Sequence, residues 1–197
     1  MSRLIDSIRL FNGKFSRLDL HQGRVDNSFR SIYNADPKWR LESLLETEKI
    51  PGEGLYKCRV VYDDKAVQIE FIPYKSKPVK TLKLLRDDNI VYDHKWENRS
   101  ELNATFALRG SCDDILIVKN GLITDTLYAN IVFGKNGKWY TPQSYLLQGT
   151  MRQYLLKNGV IEKRVISGEN FREYDQFKLV NAMLEWDGPA NDVSNIY

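Results

Sequence analysis

The chain has 197 residues, 42% of them hydrophobic and 12% aromatic, and a net charge of +3. That length suffices for one large domain or two small ones sharing an interface, and no low-complexity tract argues against a packed core. The near balance of charge excludes the basic footprint of a nucleic-acid binder and a polybasic membrane patch, so any anionic partner is expected to be small. Cys58 and Cys112 make neither a disulfide framework nor a metal spacing, the first ten residues lack the apolar core of a signal peptide, and no apolar run reaches spanning length. A soluble protein of the reducing cytoplasm is expected.

Taken in order, Ser2 to Leu20 reads as two short strands around the Asn12-Gly13 turn. A helix follows from Asp19, a candidate N-cap, with Leu20, Val25, Phe29, Ile32 and Tyr33 on one side and His21 close to Arg24. A second helix is predicted from Asp36-Pro37 to Ile50, carrying Trp39, Leu41, Leu44 and Leu45. Strands are expected over Gly54 to Tyr62 and Ala66 to Tyr74, so strands and helices are segregated, an α+β pattern. The proline-bracketed stretch from Pro73 to Pro78 divides the chain into a smaller N-terminal α/β domain (1–74), a linker (75–79) and a larger C-terminal domain (80–197). Beyond it come a strand Val79 to Leu85, a helix Arg99 to Arg109 capped by Gly110, and strands Asp114 to Asn120, Leu122 to Asp125 and Tyr128 to Phe133. A turn Gly134 to Gly137, a helix Met151 to Asn158, a strand Val160 to Val165, a polar helix near Asn170 to Asp175 and a strand Phe177 to Met183 complete the order. In that last strand Asn181 is the polar exception, and it needs a partner.

Two stretches carry chemistry. Lys95 lies between Tyr92, Asp93, His94, Trp96 and Glu97, neighbours that can move an ammonium pKa in either direction; burial would lower it and make the amine a nucleophile. Gly149-Thr150 opens a helix, where backbone N–H groups and a hydroxyl form the local chemistry of a phosphate cradle, although most such starts simply cap the helix. By their residues alone Arg24 serves equally as a surface ion-pair residue, Asp125 as a turn residue and Asn130 as a strand-end hydrogen-bonder.

The segments in register supply more. Asp6-Ser7-Ile8-Arg9 with Asn12-Gly13-Lys14, His21-Gln22-Gly23-Arg24, Lys95-Trp96-Glu97-Asn98-Arg99, Ile123 to Ile131, Tyr140-Thr141-Pro142 with Gln148 to Gln153, and Val180 to Met183 together resemble the class IV aminotransferase-like, fold-type IV pyridoxal-phosphate enzymes. That family includes 4-amino-4-deoxychorismate lyase, D-amino acid aminotransferase and branched-chain aminotransferase. The resemblance implies two α/β domains with pyridoxal 5'-phosphate in the cleft between them, a homodimer, and a small amine or amino acid as substrate. It also implies that Lys95 takes the cofactor and moves protons, that Asp125 holds the ring nitrogen, and that Arg24, Gly149 and Thr150 bind the phosphate. Asn130 and Asn181 are further cofactor-side residues by the same resemblance. The Lys-x-x-Asn-Arg and Asn-Ala-Met segments resemble the lyase, which releases pyruvate and 4-aminobenzoate for folate synthesis. An aminotransferase of a D-amino or branched-chain amino acid and a cofactor-binding protein without turnover are the alternatives. The chain departs from the pattern in three ways: aspartate stands at 125 where glutamate is usual, Trp96-Glu97 is bulkier, and the sequence begins after the place of the family's Tyr-Gly-Asp-Gly-like stretch.

Overall fold

The structure, a computed structural model, describes residues 3–197, so Met1 and Ser2 at the start of the expected hairpin lie outside the described residues. It comprises two compact units. One runs to Ser76 and takes in His94–Asn98; the other holds Lys77–Asp93 and Arg99–Tyr197.

In the first unit β1 (Leu4–Phe11), β2 (Lys14–Phe15), β3 (Leu55–Tyr62) and β4 (Val67–Pro73) form an antiparallel sheet in the order β2-β1-β3-β4. The turn between β1 and β2 puts Asn12 and Gly13 at positive φ, which asparagine tolerates and glycine adopts freely, so the two strands close tightly with Phe11 opposite Lys14. Along β1 the inward positions are Leu4, Asp6, Ile8 and Leu10, all buried. Period-two alternation therefore places one carboxylate in an apolar row. Helix α1 (Leu18–Tyr33) packs Val25 and Phe29 against this sheet and ends at Asn34, whose left-handed backbone returns its N–H to Arg30 O. Asp19 is not the N-cap of α1. That position falls to Arg17, and Asp19 stands in the first turn, where a negative charge suits the helix dipole.

The second helix also differs from expectation. Helix α2 spans only Leu41–Glu46, because Arg40 is extended and the Gln22 side-chain oxygen accepts the Leu41 N–H at 2.7 Å, fixing the first turn there. Trp39 stays outside the helix and packs edge-on to Phe29 and Tyr62. The excursion His94–Asn98 is stitched to β1: Ile5 N–H donates to Lys95 O and Glu97 N–H to Arg3 O, both at 2.8 Å. Trp96 packs on the core of this unit, and the Glu97 carboxylate accepts from Arg3 and Arg59.

The second unit contains β5 (Leu82–Arg86), helix α3 (Ser100–Ala107), β6 (Asp114–Lys119), β7 (Leu122–Ile123), β8 (Asn130–Lys135), β9 (Lys138–Pro142), helix α4 (Thr150–Lys157), β10 (Glu162–Arg164), β11 (Gln176–Val180) and β12 (Asn191–Asp192). Strands β5, β6 and β7 form one sheet, with β5 and β6 parallel; the order β10-β9-β8-β11-β12 forms the other. Gly134 lies inside β8 rather than in a turn, and Asn136-Gly137 makes the reversal. Strand β11 ends at Val180, one residue short of Asn181. The core gathers Leu82, Leu116, Ile131, Phe133, Phe171 and Phe177, while α4 lays Met151 and Leu155 against Val132 and Val180.

The Phe133 ring is fully buried, its centre 5.3 Å from that of Tyr174. Phe133→Ala is expected to lower stability by about 3 to 5 kcal/mol, read as a fall in the urea midpoint at unchanged m-value.

Candidate active site

Two buried clusters, one in each unit, contain Arg24 and Asp125, two of the three charged residues singled out in the sequence. In the first, Asp6 on β1 is wholly buried and faces α1. Arg24 grips it bidentately, Nε to Oδ2 at 3.2 Å and Nη2 to Oδ1 at 2.5 Å, and His21 Nδ1 lies 2.8 Å from Oδ1. Burial alone would raise the Asp6 carboxyl, but the charges and hydrogen bonds of Arg24 and His21 hold it well below the usual carboxylate range. His21 is also lowered, but by burial, against the pull of Asp6, which favours the neutral ring. An ionised Asp6 requires His21 Nδ1 to carry its proton. The approach of Arg24 Nη2 to that same nitrogen at 3.3 Å is then a contact of two donors, not a hydrogen bond.

Lys95 belongs to the same unit. Its backbone is fixed on β1 next to Ile5, its side chain is half-buried, and its neighbour His94 sits edge-on to Trp96 and within 3.1 Å of Ser31 Oγ.

The second cluster is built around Asp125, at the start of a tight loop closed by the Thr126 N–H to Ala129 O bond and by the pairing of Asp125 with Asn130. Asn130 Nδ2 donates to Asp125 Oδ1 at 2.8 Å and to Leu147 O at 3.0 Å; Leu147 N–H donates to Asp125 Oδ2 at 2.8 Å. Both oxygens are therefore oriented by neutral donors. Burial pushes the carboxyl up to about 7, against these donors and the charge of Arg152. Gly149, the N-cap of α4, is held to glycine by the same group: a Cβ there would overlap Asn130 Oδ1. Thr150 is buried at the first turn of α4, where intrahelical partners for N–H groups run out.

Asn181 does not join this cluster. Just past β11, its Oδ1 accepts the Met183 and Leu184 N–H groups in a local turn, and its Nδ2 donates to Tyr128 O at 3.3 Å. That answers the need for a partner with a turn instead of a ladder. Arg99 lies with its guanidinium carbon 4.2 Å from the Tyr128 ring centre and donates to Leu127 O.

Sequence reasoning passed over Asp6, the Leu147 N–H and Arg152 as site residues. Asp6 had a readable signal, a carboxylate in phase with Leu4, Ile8 and Leu10; Leu147 contributes only backbone and had none. Among the described residues no group of three or more His, Cys, Asp or Glu side chains is disposed to hold a metal ion.

Comparison with known proteins gives the family of the chain. Residues 3–187 match the Amino-transferase class IV family, and the chain belongs to it. Enzymes of this family depend on pyridoxal phosphate. The chain is 37% identical over 185 residues to an uncharacterized protein of Haemophilus influenzae, covering 93% of this chain and 98% of that one. It is 28% identical over 192 residues to a protein of Schizosaccharomyces pombe provisionally named an aminodeoxychorismate lyase, covering 88% and 83% respectively. The crystal structure of a provisionally named 4-amino-4-deoxychorismate lyase from Haemophilus somnus superposes with a TM-score of 0.88 at 30% identity, covering 93% of this chain and 97% of that one. No helix among the described residues is long and apolar enough to cross a membrane.

Gly149→Ala is expected to displace the Asn130 amide, lower stability by about 1 to 3 kcal/mol and weaken cofactor binding, measured by urea unfolding and by titration with pyridoxal phosphate. A second outcome concerns pH. Because folded Asp125 keeps its proton to about 7 while the unfolded side chain releases it near 3.8, this group makes stability fall as pH rises through that window. The fall amounts to up to about 4 kcal/mol, and Asp125→Asn should abolish that part of it in urea midpoints of the cofactor-free protein. Asp6 acts with the opposite sign, its contribution being lost only as pH falls below its unfolded value of 3.8.

Proposed function

We propose that the protein is a pyridoxal-phosphate-dependent lyase of the aminodeoxychorismate type, releasing pyruvate and 4-aminobenzoate. The observation that carries the cofactor assignment is the Asp125 cluster: a carboxylate sealed from water, oriented at both oxygens and raised toward neutrality, fits a partner for a protonatable ring nitrogen. The residues of the first cluster fit an anion. Asp6 engages Nε and Nη2 of Arg24, which leaves the Nη1 donors for a phosphate. In the second unit, the Gly149-Thr150 start of α4 by itself offers an anion a helix N-terminus and a hydroxyl.

Pyridoxal phosphate, when bound, supplies an electron sink for a bond broken beside the substrate amine. The work of the chain is then divided. Arg24, Gly149 and Thr150 bind the phosphate and set register; Asp125 holds the proton on the ring nitrogen; Asn130 and the Leu147 N–H keep the carboxylate aimed. Lys95 would hold the cofactor, and its amine would take and return the proton at the reacting carbon. For Asn181 the cofactor-side role rests on the family resemblance alone. The lyase assignment is supported by the Lys95-Trp96-Glu97-Asn98-Arg99 segment and by the similarity to the Haemophilus somnus structure. The reading includes a cytoplasmic homodimer active in folate synthesis, supported by family membership.

The test begins with the absorption spectrum in added pyridoxal phosphate. A yellow band that borohydride fixes onto Lys95, and that Lys95→Ala lacks, is the expected result; no band would overturn the assignment. Given the band, 4-amino-4-deoxychorismate should yield pyruvate and 4-aminobenzoate in equal amounts. Conversion of the cofactor to its amine form by a D-amino or branched-chain amino acid, without those products, would move the protein to the aminotransferases.

A further inference from the structure

Arg152 is the largest fully buried side chain among the described residues, 1% exposed. It stands in the first turn of α4, where a positive charge opposes the helix dipole. Removing a guanidinium from water is costly unless a carboxylate pairs with it. Here both hydrogen-bond acceptors are neutral: Nε donates to Thr141 Oγ1 at 3.1 Å and Nη2 to Pro142 O at 2.8 Å. The Tyr145 ring covers the guanidinium at 4.8 Å, and Nη1 is buried without a hydrogen-bond partner.

The groups that hold Arg152 adjoin those that frame Asp125. Thr141 Oγ1 donates onward to Ile131 O, the residue after Asn130, while Tyr145 lies two residues before the Leu147 N–H that holds Asp125 Oδ2. The charge of Arg152 opposes the rise that burial imposes on Asp125, and Asp125 in turn supports the charge of Arg152. The groups acting on this carboxylate are thus the neutral Asn130 amide from β8, the Leu147 and Leu146 N–H groups, and the charge of Arg152 from α4 with Tyr145 stacked upon it.

We propose that Arg152 is a positioning residue for the cofactor, a buried cation fastened to neutral acceptors so that its field favours the ionised form of Asp125 without occupying either carboxylate oxygen. A guanidinium bonded directly to Asp125 would ionise it equally well, but would compete for the lone pairs that the ring nitrogen must use. An arginine tied to Thr141 and Pro142 supplies the charge and leaves the acceptor open. The inference rests on the assignment of Asp125 to the ring nitrogen made above.

The deciding measurement is the titration of the Asp125 carboxyl carbon by NMR in the cofactor-free protein, in wild type, Arg152→Met and Arg152→Lys. Methionine fills the space without charge, so the Asp125 midpoint should rise by about one pH unit or more, and lysine should restore most of it. Near neutral pH, affinity for pyridoxal phosphate should fall about tenfold in Arg152→Met, while an analogue with carbon in place of the ring nitrogen should lose less than about twofold. An unchanged Asp125 midpoint in folded Arg152→Met would overturn the proposal. If that variant does not fold, wild type still decides: the Arg152 Nε resonance should follow the Asp125 titration and cease to do so in Asp125→Asn, and a resonance indifferent to that titration is equally fatal. Should wild type bind no pyridoxal phosphate, the functional assignment falls, while the midpoints still report whether Arg152 governs Asp125.

Discussion

The site in the second unit depends on one constraint: a carboxylate removed from water must be held by donors that do not neutralise it. Asp125 meets it with the Asn130 amide and the Leu147 N–H, one on each oxygen. The consequences spread outward. Asn130 bridges to Leu147 O, so the loop after β7 and the approach to α4 become one hydrogen-bonded piece. The amide oxygen of Asn130 then occupies the space where position 149 would carry a Cβ, so any residue but glycine at the start of α4 must displace that amide. The start of the helix and the orientation of the acid are thus the same fact of packing.

The two buried aspartates show how the identity of a partner decides what a carboxyl can do. Both are almost wholly sealed from water. Asp6 touches the Arg24 guanidinium and is locked in its ionised form, which suits an anchor that must never change. Asp125 touches only neutral groups and is raised to about 7, so its charge responds to whatever cation comes near. A residue that fixes an arginine needs the first environment; the second suits the role proposed for Asp125, as partner of a ring nitrogen.

The sequence carried the order of the elements because period-two and helical patterns are local, and β1, β3, β4, β6 and α1 lie within a residue or two of where patterning puts them. Where the reading missed, a tertiary contact had prevailed over a local preference. Pro37 suits a first helical turn, yet α2 begins at Leu41 because Gln22 reaches from α1 to accept its N–H. The apolar run through Met183 continues past the end of β11, but Asn181 turns the chain by bonding two N–H groups ahead of it. The same division holds at the clusters. Lys95, Arg24, Asp125 and Gly149 sit in recognisable segments, whereas what holds them is either backbone or a charge whose burial no pattern announces.

Aspartate at 125, where the family resemblance leads one to expect glutamate, fits this account. A side chain one methylene shorter has one fewer torsion to fix, and here every remaining freedom is removed by the Asn130 and Leu147 bonds. Its reach is therefore set by the backbone of the loop and not by rotamer choice. A longer acid can swing to meet a ligand; a short one must have the loop, the asparagine and the helix start already in place. That requirement accounts for the density of interlocking contacts between Asp125, Asn130, Leu147 and Gly149, and for a charge supplied from Arg152 at a distance instead of by contact.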